Sequence, residues 1–134
     1  MTPFVWKSRI RFVDTDASQR IHYSALFRHF EIAEDEFFRH IGYPYPLRGP
    51  GVSYPRVHVE ADYLRALRYD DEVEVSVSVE RVGRSSYALA FGVSKDGVEA
   101  ARGKIVVVCL NLETQRAQEM PEDLVAAIRR YQEA

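Results

Sequence analysis

The chain has 134 residues, of which 46% are hydrophobic and 28% charged, a composition typical of soluble globular proteins with one core. Its formal net charge is −2, and lysine and arginine are not concentrated in one block, which argues against a dedicated nucleic-acid-binding protein. The N-terminus lacks the apolar core of a signal peptide, and no apolar run approaches the roughly 18 residues of a membrane span. These features predict one domain over residues 1–134 and, by default, a cytoplasmic location.

The sequence offers little to bind a metal or cofactor. Its single cysteine, Cys109, lies in the apolar run IVVVCLNL and is expected to be a small buried hydrophobe rather than a nucleophile. The four histidines show no metal-ligand spacing. The chain also lacks a GxSxG elbow and a glycine-rich phosphate loop. We therefore expect neither a metal nor a cofactor.

Alternation of side chains predicts a half-buried strand over residues 4–13. One face of this strand carries Trp6, Ser8, Ile10 and Phe12. The next seven residues, DTDASQR, contain no apolar side chain except Ala17. This segment is expected to form a polar loop.

An apolar stripe at helical spacing follows the loop. Its members, Leu26, Phe30, Ala33, Phe37 and Ile41, recur at intervals of four, three, four and four residues. Ser24 is a candidate N-cap and Gly42 a plausible stop, so the helix would be about 28 Å long. A helix with so broad an aromatic face requires a large concave partner.

Period-two alternation returns in four later segments, which begin near residues 56, 72, 86 and 98. Tight turns between them, such as Lys95-Asp96-Gly97, require neighbouring strands to be antiparallel. The last strand is apolar on both faces from Ile105 to Leu110 and is expected to be central. Pro121 begins a short closing helix.

The order of elements is strand, long helix, four strands and short helix, which predicts an α+β domain with a five-stranded antiparallel sheet packed on the long helix. Small residues alternate with the large ones between Tyr87 and Val93. We expect the face that carries Ser86, Ala88, Ala90 and Gly92 to let the helix lie close to the sheet.

The start of the long helix and the loop before it are the best candidate for chemistry. Helix N-termini carry unpaired N–H groups and partial positive charge, and two carboxylates, Asp14 and Asp16, lie just upstream. Amide donors can stabilise an oxyanion while a carboxylate attacks a carbonyl or activates water, a combination suited to acyl transfer. Asp-Thr-Asp before a helix is also common loop and capping chemistry, which spacing alone favours.

Three stretches of the chain resemble the 4-hydroxybenzoyl-CoA thioesterase family. The first is RIRFVDTDASQRIHYSALFRHFEIAEDEFFRHIGY, with Asp14-Thr15-Asp16, His22-Tyr23 and Phe30-Glu31 as its motifs. The second is DYLRALRYDDEVEVSVSVERVGRSSYALAFGV, and the third is GKIVVVCLNLETQRAQEMP. Together they span roughly residues 6–122, and their order and spacing are more specific than any one motif.

The resemblance implies a hotdog fold, in which the antiparallel sheet wraps around the long helix, and a function as an acyl-CoA thioesterase. It further implies homodimers that assemble into homotetramers, with active sites at the dimer interface. The substrate would be an acyl-CoA or an acyl-carrier protein. Neither nucleic acid nor membrane is an expected partner.

The same resemblance assigns roles to individual residues. Asp16 matches the catalytic aspartate, a nucleophile or general base, and the backbone N–H of Tyr23 matches the donor that polarises the thioester carbonyl. His22 belongs to the same motif and is a further catalytic candidate, whereas Asp14 is expected to be structural. Arg84 and Ser85 match the region that meets the nucleotide end of CoA, sometimes from a neighbouring subunit.

Aromatic residues on the helix and the inner sheet face are possible walls of the acyl tunnel: Phe27, Phe30, Tyr54 and Tyr63. The chain departs from the family at Ser18-Gln19-Arg20, where many members carry glycine in the loop. Two alternatives stay open from the sequence. One is a hotdog dehydratase or isomerase acting on acyl thioesters, for which His22 is the only histidine near the loop. The other is a non-catalytic module that binds acyl-CoA or an acyl carrier.

Overall fold

The computed structural model describes residues 3–133. Its strands are β1 (Phe4–Arg9), β2 (Val52–Ser53), β3 (Arg56–Tyr63), β4 (Glu72–Val82), β5 (Ser86–Lys95), β6 (Val98–Val108) and β7 (Leu110–Asn111). Its α-helices are α1 (Ala25–His40) and α2 (Glu122–Glu133), and single 3-10 turns lie at Phe12–Asp14 and Tyr45–Leu47. Neither α-helix combines the length and the apolar character needed to cross a membrane, within the part of the chain that is described.

Five strands form one antiparallel sheet in the order β1-β4-β5-β6-β3. The predicted five strands are thus confirmed, with β5 at the centre and β6 in the interior between β5 and β3. Two short strands, β2 and β7, pair with each other outside this sheet and were not predicted. They arise because the predicted last strand ends at Val108 and resumes after Cys109, which is buried as expected.

The aromatic face of β5 contacts α1. Phe30 stacks on Phe91 with ring centroids 4.6 Å apart, and Phe38 packs on Tyr87 at 5.2 Å. The expectation that the small residues of β5 face the helix is therefore wrong. Close approach comes instead from Gly103 on β6, which pairs directly with Phe91 and lies beneath the Phe30 ring.

The helix α1 thus lies against one face of an antiparallel sheet, and α2 closes the core at its C-terminal end, where Tyr131 meets Phe37 edge-on. The buried valines of β4 confirm the strict alternation predicted for that strand. This architecture is the hotdog fold.

The first strand is shorter than predicted, and Phe12 does not belong to it. After Ile10, whose backbone pairs with Asp70 and Asp71, the chain turns into the 3-10 helix and leaves Phe12 77% exposed. The carboxylate of Asp14 accepts the Arg11 N–H at 2.8 Å and closes this turn. A side-chain acceptor therefore ends the strand where the apolar alternation continues.

One edge of the sheet, formed by β3, is exposed and carries apolar side chains between charged ones. The strand β3 pairs only with β6 among the described strands, and Val57 and Val59 are 59% and 49% exposed. Tyr63 and Leu64 continue the same apolar edge and are also exposed. Long apolar edge strands favour pairing with another chain, so this edge is suited to assembly.

The substitution Gly103→Ala is expected to destabilise the fold. A Cβ at this position would lie 2.4 Å from the Phe30 ring and 2.6 Å from the Glu60 carbonyl oxygen. Overpacking of this kind typically lowers the free energy of unfolding by about 1–3 kcal/mol. Chemical denaturation should show that loss for Gly103→Ala and a small effect for Gly83→Ala, whose added Cβ would have no neighbour closer than 3.7 Å. Equal stabilities of the two variants would contradict the close packing of α1 on β6.

Candidate active site

The polar loop before α1 is a tight hairpin between residues 14 and 22. The His22 N–H donates to the Asp14 carbonyl at 2.7 Å, and the Asp16 N–H donates to the Arg20 carbonyl at 3.1 Å. At the tip, the Gln19 N–H donates to the Asp16 carbonyl at 2.9 Å. The segment was predicted as a loop, and its hydrogen bonds give it a defined shape.

Gln19 has a φ of 69°, in the left-handed region that glycine adopts most readily. This conformation closes the turn at the hairpin tip. Glycine would adopt this φ without strain, whereas Gln19 adopts it at some conformational cost.

Asp14 is buried and fully engaged, which agrees with the structural role expected for it. Its Oδ2 accepts hydrogen bonds from the Arg11 N–H at 2.8 Å and from His29 Nε2 at 2.9 Å, and Arg28 lies 3.5 Å from Oδ1. Burial alone would raise the pKa of Asp14. These donors and charges outweigh burial and hold its pKa below the ordinary value.

Asp16 differs from Asp14 because its carboxylate is exposed at the mouth of the hairpin. Its Oδ1 accepts both the Ser18 hydroxyl at 2.5 Å and the Ser18 N–H at 2.8 Å, and these bonds lower the pKa of Asp16. Its Oδ2 has no donor among the described residues. Asp16 is therefore ionised at neutral pH and keeps one oxygen free to attack or to take a proton.

The helix start follows the hairpin directly in the chain. Ser24 occupies the N-cap position as predicted, but its hydroxyl contacts His22 Nδ1 at 2.8 Å instead of capping the helix. The N–H of Tyr23 has no acceptor within residues 3–133, while its carbonyl accepts a hydrogen bond from the Tyr63 hydroxyl. The peptide of Tyr23 thus leaves a donor free at the N-terminus of α1.

His22 lies beside these groups without a hydrogen bond to Asp16. Its ring stacks on the exposed Tyr23 ring, with centroids 4.5 Å apart. The nearby imidazole makes a minor contribution, after the Ser18 hydrogen bonds, to the lowered pKa of Asp16. The structure therefore brings His22 to the site as a neighbour.

Two predicted substrate-binding residues lie on this side of the molecule. Tyr63 ends β3 and contacts Tyr23, and Phe27 is partly exposed on the first turn of α1, edge-on to Phe30. Phe30 itself is buried against Phe91 and belongs to the core. Phe27 and Tyr63 are therefore the aromatic side chains of this group that border the site.

Arg84 and Ser85 lie at the opposite end of the sheet. Their carbonyls accept the N–H groups of Met120 and Cys109, beyond the far end of β4. The eleven residues of β4 separate the two ends by about 35 Å at roughly 3.3 Å per residue. Within one chain, the structure does not bring Arg84 and Ser85 together with Asp16.

Tyr54, which was expected to line the acyl tunnel, does not border the candidate site either. It is buried at this distant end, where its hydroxyl donates to the Arg48 carbonyl, and burial raises the pKa of its phenol above the ordinary range. Its packing beside β2 follows from the short β2–β7 pair, which the sequence pattern did not reveal.

Sequence reasoning missed a buried charged cluster farther along the sheet-facing side of α1. Glu34 is buried, contacts the Arg56 guanidinium and accepts the Tyr87 hydroxyl at 2.7 Å. It borders a cavity of about 510 Å³. Its position four residues after Phe30 and four before Phe38 places it on the buried stripe, a signal that could have identified it. The cluster ties α1 to β3 and β5.

A family model described as the Thioesterase-like superfamily matches residues 10–128. A 1,4-dihydroxy-2-naphthoyl-CoA hydrolase of Synechococcus sp. (strain WH7803) is 30% identical over 135 residues, which cover 94% of this chain and 86% of that protein.

Solved structures agree with these sequence matches. A hypothetical protein of Aquifex aeolicus superposes with a TM-score of 0.87 and 28% identity, covering 94% of this chain and 99% of that one. A 1,4-dihydroxy-2-naphthoyl-CoA thioesterase of Synechocystis shares the fold with a TM-score of 0.86 at 15% identity, covering 96% of each chain.

Ionised Asp14 is expected to make stability depend on pH in mild acid. Because its folded pKa lies below the ordinary value of 3.8, its contribution is present above that pH and is lost as pH falls through the folded pKa. The substitution Asp14→Asn should lower the free energy of unfolding at neutral pH by about 1–3 kcal/mol, because it disturbs buried hydrogen bonds. Urea unfolding between about pH 5 and pH 2 should also show a shallower acid-induced fall for the variant than for the wild type. Parallel curves would contradict the lowered pKa.

Proposed function

The chain belongs to the Thioesterase-like superfamily, and we propose that it hydrolyses an acyl-CoA thioester to a free acid and CoA. The observation that carries this proposal is a hairpin that exposes the ionised carboxylate of Asp16 and leads directly into Tyr23, whose N–H is free among the described residues. A carboxylate and an oriented amide donor are the two groups that thioester hydrolysis needs. The thiolate is a good leaving group, so no strong general acid is required.

In the proposed mechanism, the thioester carbonyl oxygen accepts a hydrogen bond from the Tyr23 N–H. The partial positive charge at the N-terminus of α1 adds to the stabilisation of the oxyanion. Asp16 either attacks the carbonyl carbon or removes a proton from the attacking water. The C–S bond then breaks, CoA leaves as its thiolate, and the acyl group leaves as a carboxylic acid after water has added.

The aromatic border of the site favours an aromatic acyl group. Phe27 and Tyr63 present aromatic side chains near Tyr23, and rings of this kind pack well against a planar acyl group. The relative that acts on 1,4-dihydroxy-2-naphthoyl-CoA supports the same class of substrate. We therefore propose that the substrate is an aromatic acyl-CoA. This class of substrate fits the resemblance to the 4-hydroxybenzoyl-CoA thioesterase family.

Arginines beside the hairpin support a polyanionic substrate such as CoA. Arg20 and Arg68 are exposed and joined by a backbone bridge, and neither forms an ion pair within the described part of the chain. Their unneutralised charge would attract the phosphates of CoA to the mouth of the site.

We propose that the active protein is a homodimer joined through the exposed apolar edge of β3, and that dimers pair into a tetramer. Antiparallel pairing of β3 with its copy would place the far end of one sheet beside the hairpin end of the other. Arg84 and Ser85 of the partner subunit would then approach Asp16, which one chain cannot achieve. This geometry supports a substrate site shared between two subunits.

The substitution Asp16→Asn is expected to abolish most thioesterase activity. Asparagine keeps the shape of the side chain but removes the negative charge that attacks or accepts a proton. We expect a loss of roughly 10²–10⁴ in kcat if Asp16 is a general base, and more if it is the nucleophile. The measurement is release of free thiol from a panel of acyl-CoA substrates. A rate near that of the wild type on several substrates would contradict the assignment.

The matched control is Asp96→Asn, at the β5–β6 turn. Asp96 has a positive φ of 52°, a conformation that asparagine also tolerates, and it lies outside the proposed site. The thioesterase activity of Asp96→Asn should equal that of the wild type. Circular dichroism on both variants checks that the comparison is between folded proteins.

The substitution Val59→Lys is expected to separate the dimer and reduce activity with it. A lysine in a buried interface leaves an uncompensated charge, at a cost of about 3–5 kcal/mol. Light scattering should show monomers for this variant, and thiol release should fall because the site loses residues from the partner. Val5→Lys on β1, where Val5 is similarly exposed at 46%, is the control and should change neither property. A dimeric and fully active Val59→Lys would contradict the proposed interface.

A further inference from the structure

We propose that His29 is a positioning residue for thioester hydrolysis, which acts through Asp14 to hold both Asp16 and the Tyr23 N–H in place. The inference rests on the proposed function and adds to it the residue that fixes the geometry of the site. His29 itself does not reach the substrate. It is buried on the second turn of α1, six residues after Tyr23.

A chain of three side chains links β1 to the root of the hairpin. Ser8 Oγ lies 2.7 Å from His29 Nδ1, and His29 Nε2 lies 2.9 Å from Asp14 Oδ2. Ionised Asp14 can only accept hydrogen bonds, so His29 Nε2 is the donor in this contact. Ser8 holds the other nitrogen of the ring. The two contacts together fix the orientation of the His29 ring.

Asp14 connects His29 to both arms of the hairpin through hydrogen bonds. Its carboxylate accepts the Arg11 N–H, which fixes the turn that enters the hairpin. Its carbonyl accepts the His22 N–H at 2.7 Å, which fixes the arm that leaves it. Asp16 follows Asp14 by two residues, and Tyr23 follows His22 by one. A shift of Asp14 would therefore move the proposed nucleophile and the proposed oxyanion donor together.

The placement of this chain argues for a role beyond stability. Asp16 is on an exposed hairpin whose other side-chain hydrogen bonds are local: Asp16 to Ser18, Thr15 to the Phe12 carbonyl and His22 to Ser24. Among the described residues, His29 is the buried α1 side chain that hydrogen-bonds to the hairpin root. Sites that need accurate geometry are held by such secondary contacts to rigid elements. A misplacement of about 1 Å can cost roughly 10²-fold in rate.

The test uses two amide variants that differ in reach. The amide nitrogen of glutamine occupies nearly the position of histidine Nε2 and can donate to Asp14, whereas the amide of asparagine reaches only the position of Nδ1, toward Ser8. His29→Asn is expected to lower kcat by about 10- to 100-fold with KM nearly unchanged. His29→Gln should recover most of that loss. Equal kcat values for wild type and His29→Asn, or an equal loss in both variants, would overturn the proposal.

The variant Tyr87→Phe is the control that distinguishes a positioning role of His29 from a merely structural one. This variant also removes a buried donor to a carboxylate on α1, that of Glu34, but at a site remote from the hairpin. It should lower the melting temperature and leave kcat unchanged. The amide resonance of Tyr23 should shift in His29→Asn, return in His29→Gln and stay in place in Tyr87→Phe. A loss of kcat in Tyr87→Phe as large as that in His29→Asn would overturn the proposal.

Two further variants complete the test. If His29→Asn does not fold, Ser8→Ala provides a milder change, because it removes the contact that holds His29 Nδ1. The kcat of Ser8→Ala should then fall several-fold, and an unchanged kcat would overturn the proposal. Asp16→Asn separates the two proposals. A wild-type protein that releases no thiol from any acyl-CoA defeats the proposed function, and an active Asp16→Asn defeats the role proposed for Asp16. An inactive Asp16→Asn with a fully active His29→Asn defeats only the positioning role.

Discussion

The hydrogen bond between His29 and the buried carboxylate of Asp14 is the constraint on which the candidate site depends. It joins α1, the longest helix, to the hairpin that carries Asp16, and through Ser8 it reaches β1. Burial of a carboxylate is costly unless donors surround it, and the Arg11 N–H and His29 supply them. The same carboxylate that ends the first strand thereby shapes the loop where chemistry is proposed.

Asp14 and Asp16 belong to one short motif, but their different environments suit them to different roles. Asp14 is surrounded by donors and anchors the backbone, so both of its oxygens face fixed partners. Asp16 is exposed, accepts hydrogen bonds from Ser18 on one oxygen and keeps the other oxygen free among the described residues. The hotdog fold supplies what the hairpin cannot: a rigid helix start whose Tyr23 N–H is unpaired within the described residues, and an apolar sheet edge suited to a second subunit.

Most of the fold was predictable because its signals are local and periodic. The valines of β4 alternate strictly, and the stripe from Leu26 to Phe37 repeats at helical spacing, so both elements followed from the pattern. The end of β1 did not, because Phe12 continues the alternation while the Asp14 side chain turns the backbone away. The face of β5 that meets α1 was also predicted wrongly. The close approach of α1 to the sheet depends on Gly103, the cross-strand partner of Phe91, and not on the small residues of β5. For the site, spacing alone favoured capping; the family resemblance identified Asp16 and Tyr23, whereas the link from His29 to Asp14 required the folded chain.

Thioester hydrolysis is tested most directly by incubating the wild-type protein with aromatic and aliphatic acyl-CoA substrates and measuring free thiol and free acid. The proposed function predicts that both products appear in equal amounts, with faster release from aromatic acyl groups. Hydration or isomerisation of the acyl chain without thiol release would contradict it and indicate a dehydratase or isomerase. Binding of acyl-CoA with no chemical change on any substrate would contradict it as well and indicate a non-catalytic binding module.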